Sequence, residues 1–279
     1  MLHLWIGRAG AGKTARVLET IKKNRTRRGQ ILIVPEHVSH EAEVALYHAL
    51  GDTASRNAEV LSLRNLSGRV LGEVGGLSDF TLDGGGKLLT MRMALQEVGS
   101  SLHVFNNPSR RAAFLEQLVA LVDELYAYEI PPQELYAQVQ DVPGQEGDKL
   151  RDVALLYAAY DARLRSGGRD ARSRVQKLRD ALPQASYLRG KDVYFDGFSY
   201  FNKTEEGILL TALTQAESVT VTLLGDRSAT EIFQNALRQR QRLVRMAQQT
   251  GCRCTMEFME PAGNTPLAHL EKYFFGAAA

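Results

Sequence analysis

Apolar positions along this chain follow two rhythms. Short apolar and β-branched runs at Leu2–Ile6, Ile31–Val34, Val60–Leu63, Asp192–Phe195 and Val219–Leu224 predict strands. Ile31–Val34 is wholly apolar, as expected of a strand buried on both faces. Between these runs the spacing changes to that of helices. Val17, Leu18 and Ile21 mark one buried face, and Ser39 is placed to cap a helix running to about Leu50. Further helices are expected after Leu63 through Val70, over Lys87–Val98, and over Glu205–Thr214 and Ala229–Gln249. A Gly/Asp stretch, Gly72–Gly86, separates two of them.

The middle of the chain holds only the helical rhythm. Ala112–Tyr128 carries Phe114, Leu118, Leu121, Val122 and Leu125 on one side, and Pro131-Pro132 ends it. Pro131–Val139, Leu150–Leu164 and Ser173–Ala181 read as helices, with a loop at Asp141–Gly147. Strand–helix alternation on both sides of this block predicts one parallel α/β sheet built from two segments, 1–107 and 186–279. Residues 108–185 form an all-helical insertion between them.

Composition narrows this picture little. With 279 residues, 44% hydrophobic and 24% charged, the chain has the make-up of an ordinary globular protein. It has no run long enough for a membrane-spanning helix and no signal-peptide pattern, so a cytoplasmic location is expected. The two cysteines, Cys252 and Cys254, fit reduced thiols; they are too few for a zinc or iron–sulfur site. The net charge of +2 conceals segregation. Residues 1–30 are basic, 121–162 acidic and 163–191 basic. Residues 225–253 carry Arg227, Arg238, Arg240, Arg242, Arg245 and Arg253 against Asp226 and Glu231. Such clusters can neutralise phosphates whatever the total charge.

The sharpest chemical signal is Gly7-Arg8-Ala9-Gly10-Ala11-Gly12-Lys13-Thr14. It fits G-x-x-x-x-G-K-[ST] without mismatch, with a strand before it and a helix after it. Its glycines let backbone N–H groups wrap a nucleotide's phosphates, and the helix start adds positive partial charge. Lys13 is assigned to the β/γ-phosphates and Thr14 to Mg²⁺. The expected ligands are therefore ATP and Mg²⁺, in a P-loop NTPase fold. The acid expected to hold Mg²⁺ through water is Asp196, at the end of Val193-Tyr194-Phe195. Motor ATPases place a glutamate next; here Gly197 stands in that place, and Glu205 and Glu206 read as helix-start charge. Asp226 reads either as a sensor of the γ-phosphate or substrate, or as a strand-end turn residue. His37 and His40 lack the companions of a metal site, and the aromatics around Asp196 favour packing over base stacking.

These segments occur in a familiar order. The glycine loop, Ile31–His37, Val60–Leu66, Tyr194–Phe198 with Glu205, and Leu224–Asp226 together resemble the AddB family, over roughly residues 2–275. These are the B subunits of bacterial ATP-dependent helicase/nucleases. The resemblance implies a superfamily-1 helicase-like, RecA-like sheet carrying a helical insert. It implies work on double-strand DNA ends for recombinational repair, beside an AddA motor subunit. It also implies that this module binds ATP without being a motor, in keeping with Gly197. By position it makes Glu36, His37, Ser39, Ser62, Arg64 and Asn65 the DNA-facing candidates. Family chains are several times longer, so the sequence reads as an N-terminal fragment without the nuclease domain or the iron–sulfur cluster. Two other readings stand beside this one. The chain could be an independently active, DNA-stimulated ATPase, or a P-loop small-molecule kinase. The absence of a short arginine-bearing lid counts against the kinase.

Overall fold

The computed structural model describes residues 1–24, 29–51, 54–75, 82–106, 112–166, 174–227 and 233–260. In chain order the elements begin β1 (Leu2–Gly7), α1 (Lys13–Lys23), β2 (Gln30–Ile33), α2 (Ser39–Leu50), α3 (Ala54–Asn57), β3 (Ala58–Leu61) and α4 (Leu63–Val74). Five helices follow: α5 (Gly84–Val98), α6 (Ala112–Ala127), α7 (Pro132–Val139), α8 (Gly144–Ser166) and α9 (Arg174–Ala181). The chain then runs through β4 (Asp192–Phe195), α10 (Lys203–Gln215), β5 (Ser218–Leu224), α11 (Gln234–Gln249) and β6 (Cys254–Met259).

The six strands form one parallel sheet in the order β3-β2-β4-β5-β1-β6. Burial follows position in that order. β2 and β4 are buried at every residue, as strands covered on both faces must be. Edge strand β6 is exposed or half-buried throughout. Alternation divides its side chains between the faces. Leu2, Leu4 and Ile6 align with Cys254, Met256 and Phe258, while His3, Trp5 and Gly7 align with Thr255, Glu257 and Met259. Trp5, Val17, Ile21, Leu32, Val34, Leu46, Ala58, Val60 and Tyr194 form one buried cluster beneath α1 and α2. α11 packs against β5 and β6.

The chain divides into two units. The sheet belongs to the first, made of residues 1–70, 182–201 and 206–279. The second comprises residues 71–181 and 202–205, and its described residues contain helices and no strand. Met91, Leu95, Leu118, Val122, Leu156, Tyr157 and Tyr160 are among the residues of its core. Asp152 is buried there and accepts three backbone N–H bonds, from His103 (2.9 Å), Val104 (2.7 Å) and Phe105 (2.9 Å).

Several expectations change. β6 has no counterpart among the predicted strands. β3 begins and ends two residues earlier than Val60–Leu63, because Leu63 already opens α4. The loop expected at Asp141–Gly147 is cut short by α8, which starts at Gly144. Ser39 does not cap α2; it is that helix's first residue, and its hydroxyl donates to Glu36 O at 3.0 Å. α5 falls within the segment expected to build the sheet, yet it packs on α6 and α8 in the helical unit. The beginnings of the Ser173–Ala181 and Ala229–Gln249 helices, and part of Gly72–Gly86, lie outside the described residues.

Candidate functional site

In a parallel sheet all strands end on the same edge, and ligands of such sheets bind there. β1 delivers Gly7 to that edge, and β4 delivers Asp196 one residue past its end. β5 lies between these two strands and ends beside both.

The loop after β1 requires its glycines for different reasons. At Gly7 an added Cβ would lie 2.8 Å from Ala11 Cβ and 2.9 Å from Met259 O, so the backbone there passes too close for any side chain. Gly10 and Gly12 have φ of 74° and 76°, the left-handed region, and nothing lies within 4 Å of where their Cβ would be. Gly12 is the N-cap of α1, and no side chain caps that helix. Its first turn therefore offers N–H groups that have no partner within the helix. Ala9 and Gly10 are exposed, Ala11 is buried, and Thr14 is exposed in the first turn of α1.

Lys13 turns back over the loop. Its Nζ donates to Gly7 O at 2.7 Å and to Arg8 O at 2.8 Å. Partial burial holds its ammonium below the usual lysine range, and the Asp196 carboxylate opposes that shift. The two groups expected to meet phosphate and metal thus act on each other electrostatically. Asp196 itself is buried. Its N–H donates to Ile33 O at 3.0 Å, and its Oδ1 accepts from Thr222 Oγ1 at 2.5 Å. Thr222 is a residue that sequence reasoning missed. Its only signal there is the alternation of Val219-Thr220-Val221-Thr222, which puts a hydroxyl on the face that Asp196 shares.

Asp226 does something neither sequence reading foresees. Its Oδ2 accepts from Arg8 Nη2 at 2.7 Å and from Arg8 Nε at 3.2 Å, and both side chains are mostly buried. Its Oδ1 is buried with no hydrogen-bond partner among the described residues. Arg8 also lies over the Phe233 ring, 5.7 Å from its centroid. The pair ties the glycine loop to the end of β5. On the other flank, Arg16 of α1 grips Glu257 of β6 at 2.5 and 2.7 Å and stacks on Trp5 at 4.7 Å.

Gly197 has φ of 81°. The position where motor ATPases carry a glutamate is here in a backbone conformation that L-residues rarely adopt. Glu205 forms a reciprocal cap with Asn202: each backbone N–H donates to the other's side chain at 3.0 Å. Burial pushes its carboxyl up. Glu206 pairs with Arg242 at 3.1 Å. Both glutamates are thus engaged by these partners. Phe195, Phe198 and Phe201 pack on one another, with Phe198 and Phe201 stacked at 4.9 Å.

The six DNA-facing candidates follow β2 and β3, on the sheet edge that carries the glycine loop. Glu36, His37, Arg64 and Asn65 are exposed there, and Ser39 is half-buried. Ser62 is a correction: it is buried, and its Oγ accepts from Asn65 N at 3.2 Å, capping α4 instead of facing a strand. Among the described residues no group of histidine, cysteine and carboxylate side chains is placed to hold a metal by itself. Both cysteines are free thiols, and no described helix is long and apolar enough to cross a membrane.

The chain also resembles known proteins. The family model described as ADDB, N-terminal, matches residues 4–271. The B subunit of the ATP-dependent helicase/deoxyribonuclease of Pelotomaculum thermopropionicum is 34% identical over 295 aligned positions, covering 97% of this chain and 25% of the relative. The protein of the same name from Moorella thermoacetica is 32% identical, covering 98% of this chain and 26% of its own. That from Geobacillus thermodenitrificans is 32% identical over 81% of this chain and 20% of its own. The chain spans between a fifth and about a quarter of the length of these relatives.

Proposed function

The chain belongs to the AddB N-terminal family, and from that premise we propose that it is the nucleotide-binding, helicase-like module of a helicase/deoxyribonuclease B subunit. In this reading it is a P-loop domain of the RecA-like type with a helical insertion. It binds ATP with Mg²⁺ and is not itself a motor. The observation that carries the reading is the loop between β1 and α1, with two left-handed glycines and Lys13 folded back over it, while the charge of Asp196 at the end of β4 acts on Lys13.

The residues present fit the ligand. Gly10 and Gly12 leave open space, α1 starts without a side-chain cap, and Lys13 needs only to exchange two carbonyls for phosphate oxygens. The Thr14 hydroxyl and the Asp196 carboxylate would hold Mg²⁺, which neutralises charge on the phosphates. A site with two protein oxygens suits this ion, which keeps waters and shares itself with phosphate.

The rest of the proposal concerns the whole protein of which this module is a part. It works beside AddA on DNA ends, in recombinational repair, in the cytoplasm, with Glu36, His37, Arg64 and Asn65 toward the strand. Two features support the non-motor part: Gly197 lacks a carboxylate, and Glu205 and Glu206 are taken up by Asn202 and Arg242.

Trp5, the single tryptophan, lies two residues before Gly7 and reports on the loop directly. Titrating the chain with Mg·ATP should change its emission saturably, and Lys13→Ala should abolish the change. Turnover should stay at background with or without single-stranded DNA. Failure to bind Mg·ATP overturns the reading. Strong DNA-stimulated turnover that Lys13→Ala removes would favour an independent ATPase.

A further inference from the structure

The nucleotide site as proposed assigns no role to the arginines between residues 225 and 253. Arg242 is paired with Glu206. Arg227, Arg240 and Arg245 instead line one groove of about 590 Å³ between α11 and the edge strand β6, together with Val244, Met256 and Phe258. That volume is in the range of ligand-binding clefts. Its lining contains three cations and no carboxylate, while Arg227 and Arg240 also line an adjoining cavity that includes Asp226. Among the described residues none of the three is ion-paired.

The fold explains why the groove is so one-sided. Met256 and Phe258 point to the α11 face of β6, and Glu257 points to the other, where Arg16 holds it. α11 contributes four arginines and no acid. The guanidinium carbons of Arg227 and Arg240 lie 5.6 and 5.8 Å from the centre of the same Phe258 ring. The ring thus attracts two like charges. An anion between them relieves their repulsion. Arg245 lies five residues after Arg240, about 7.5 Å along the helix axis. That offset suits a second anionic group on the same ligand. Repeated anions at short intervals, met by arginines along a groove, are the chemistry of a nucleic-acid backbone.

We propose that the groove between α11 and β6 binds the phosphodiester backbone of single-stranded DNA. Arg227 and Arg240 meet one phosphate and Arg245 a neighbouring one, and Phe258 is a positioning residue for the first two. The inference rests on the reading that this chain handles DNA. It adds a contact at the edge of the sheet, separate from the loops after β2 and β3.

The test uses the full 279-residue chain and a short fluorescein-labelled oligo(dT), followed by anisotropy across a salt series. Each phosphate neutralised contributes about 0.7 to the slope of log affinity against log salt. Arg240→Gln with Arg245→Gln leaves Arg227 on the first phosphate and frees the second, so it should lower that slope by about 0.7 and weaken binding about 5-fold at 0.1 M salt. Phe258→Leu should weaken binding yet keep the wild-type slope, because the charges remain and only their placement is lost. Circular dichroism melts of both variants verify folding. An oligonucleotide that binds with unchanged affinity and slope in the double variant overturns the groove and leaves the DNA reading standing. A wild-type chain that does not bind it overturns both. Tighter binding of poly-glutamate, lost in the same double variant, overturns the proposal in favour of an acidic protein partner.

Discussion

Gly197 carries the non-motor part of the proposal, and it can be tested by substitution. Its φ of 81° costs an L-residue about 1–2 kcal/mol, because the Cβ crowds the following carbonyl. Some of that is offset, since a residue other than glycine loses about 0.4–1 kcal/mol less chain entropy on folding. The added Cβ would meet Pro35 Cδ at 3.5 Å, an ordinary contact, so no clash adds to the sum. Gly197→Ala should therefore destabilise the sheet unit by about 1 kcal/mol. Gly197→Glu should cost about the same, because the strain is in the backbone. Urea unfolding followed by Trp5 emission measures both. The glutamate variant should also fail to turn over ATP on single-stranded DNA, since a carboxylate attached to a left-handed residue leaves in a different direction. If Gly197→Glu were as stable as the wild type and hydrolysed ATP on DNA, the argument would be refuted. A missing side chain would then be all that separates this site from a motor.

Three further outcomes are expected. Asp152→Ala removes a buried carboxylate that accepts from three partly buried N–H groups and should cost about 2–3 kcal/mol, with fast hydrogen exchange at residues 103–105; a loss under about 0.5 kcal/mol would contradict the role assigned to it. Burial raises the Glu205 carboxyl, so its contribution to stability is full below the unfolded pKa and is lost as pH rises through the folded one. Glu205→Gln keeps an acceptor for Asn202 and drops the charge, so in urea midpoints it should gain on the wild type as pH rises above the ordinary carboxylate range. Arg16→Ala should change Trp5 emission clearly but cost only about 1 kcal/mol, because the Glu257 pair is largely exposed.

Most of the sheet is legible because its central strands are continuous apolar runs, which local pattern alone reveals. β6 is not, since an edge strand carrying Thr255, Met256 and Glu257 to solvent has no such run. Strand order is also hidden, as pairing of β1 with β5 and β6 joins segments far apart in the chain. The same distance hides Arg8 and Asp226 from each other. The glycine loop can be read in full because its requirements are local: a tight approach at Gly7 and left-handed turns at Gly10 and Gly12. Ser62 misleads for the opposite reason, since a serine before a helix reads equally as a cap or as a surface contact. α5 is placed in the wrong neighbourhood because an amphipathic face records that it is covered, not by which partner.

The place of β1 in the sheet bears on the order of folding. It is the first strand of the described chain, yet its neighbours, β5 and β6, are the last two. β2 and β3 lie close in sequence and can pair early, whereas Leu2, Leu4 and Ile6 must wait unpaired while the helical unit is synthesised. Such late closure gives a high contact order and slow completion. During synthesis the glycine loop has no fixed shape to offer, because Gly7 is gripped from both sides only once Gly225 and Met259 have emerged. A chain shortened before Cys254 would leave β1 as a bare edge, and the loop that defines the site would be the first thing to loosen.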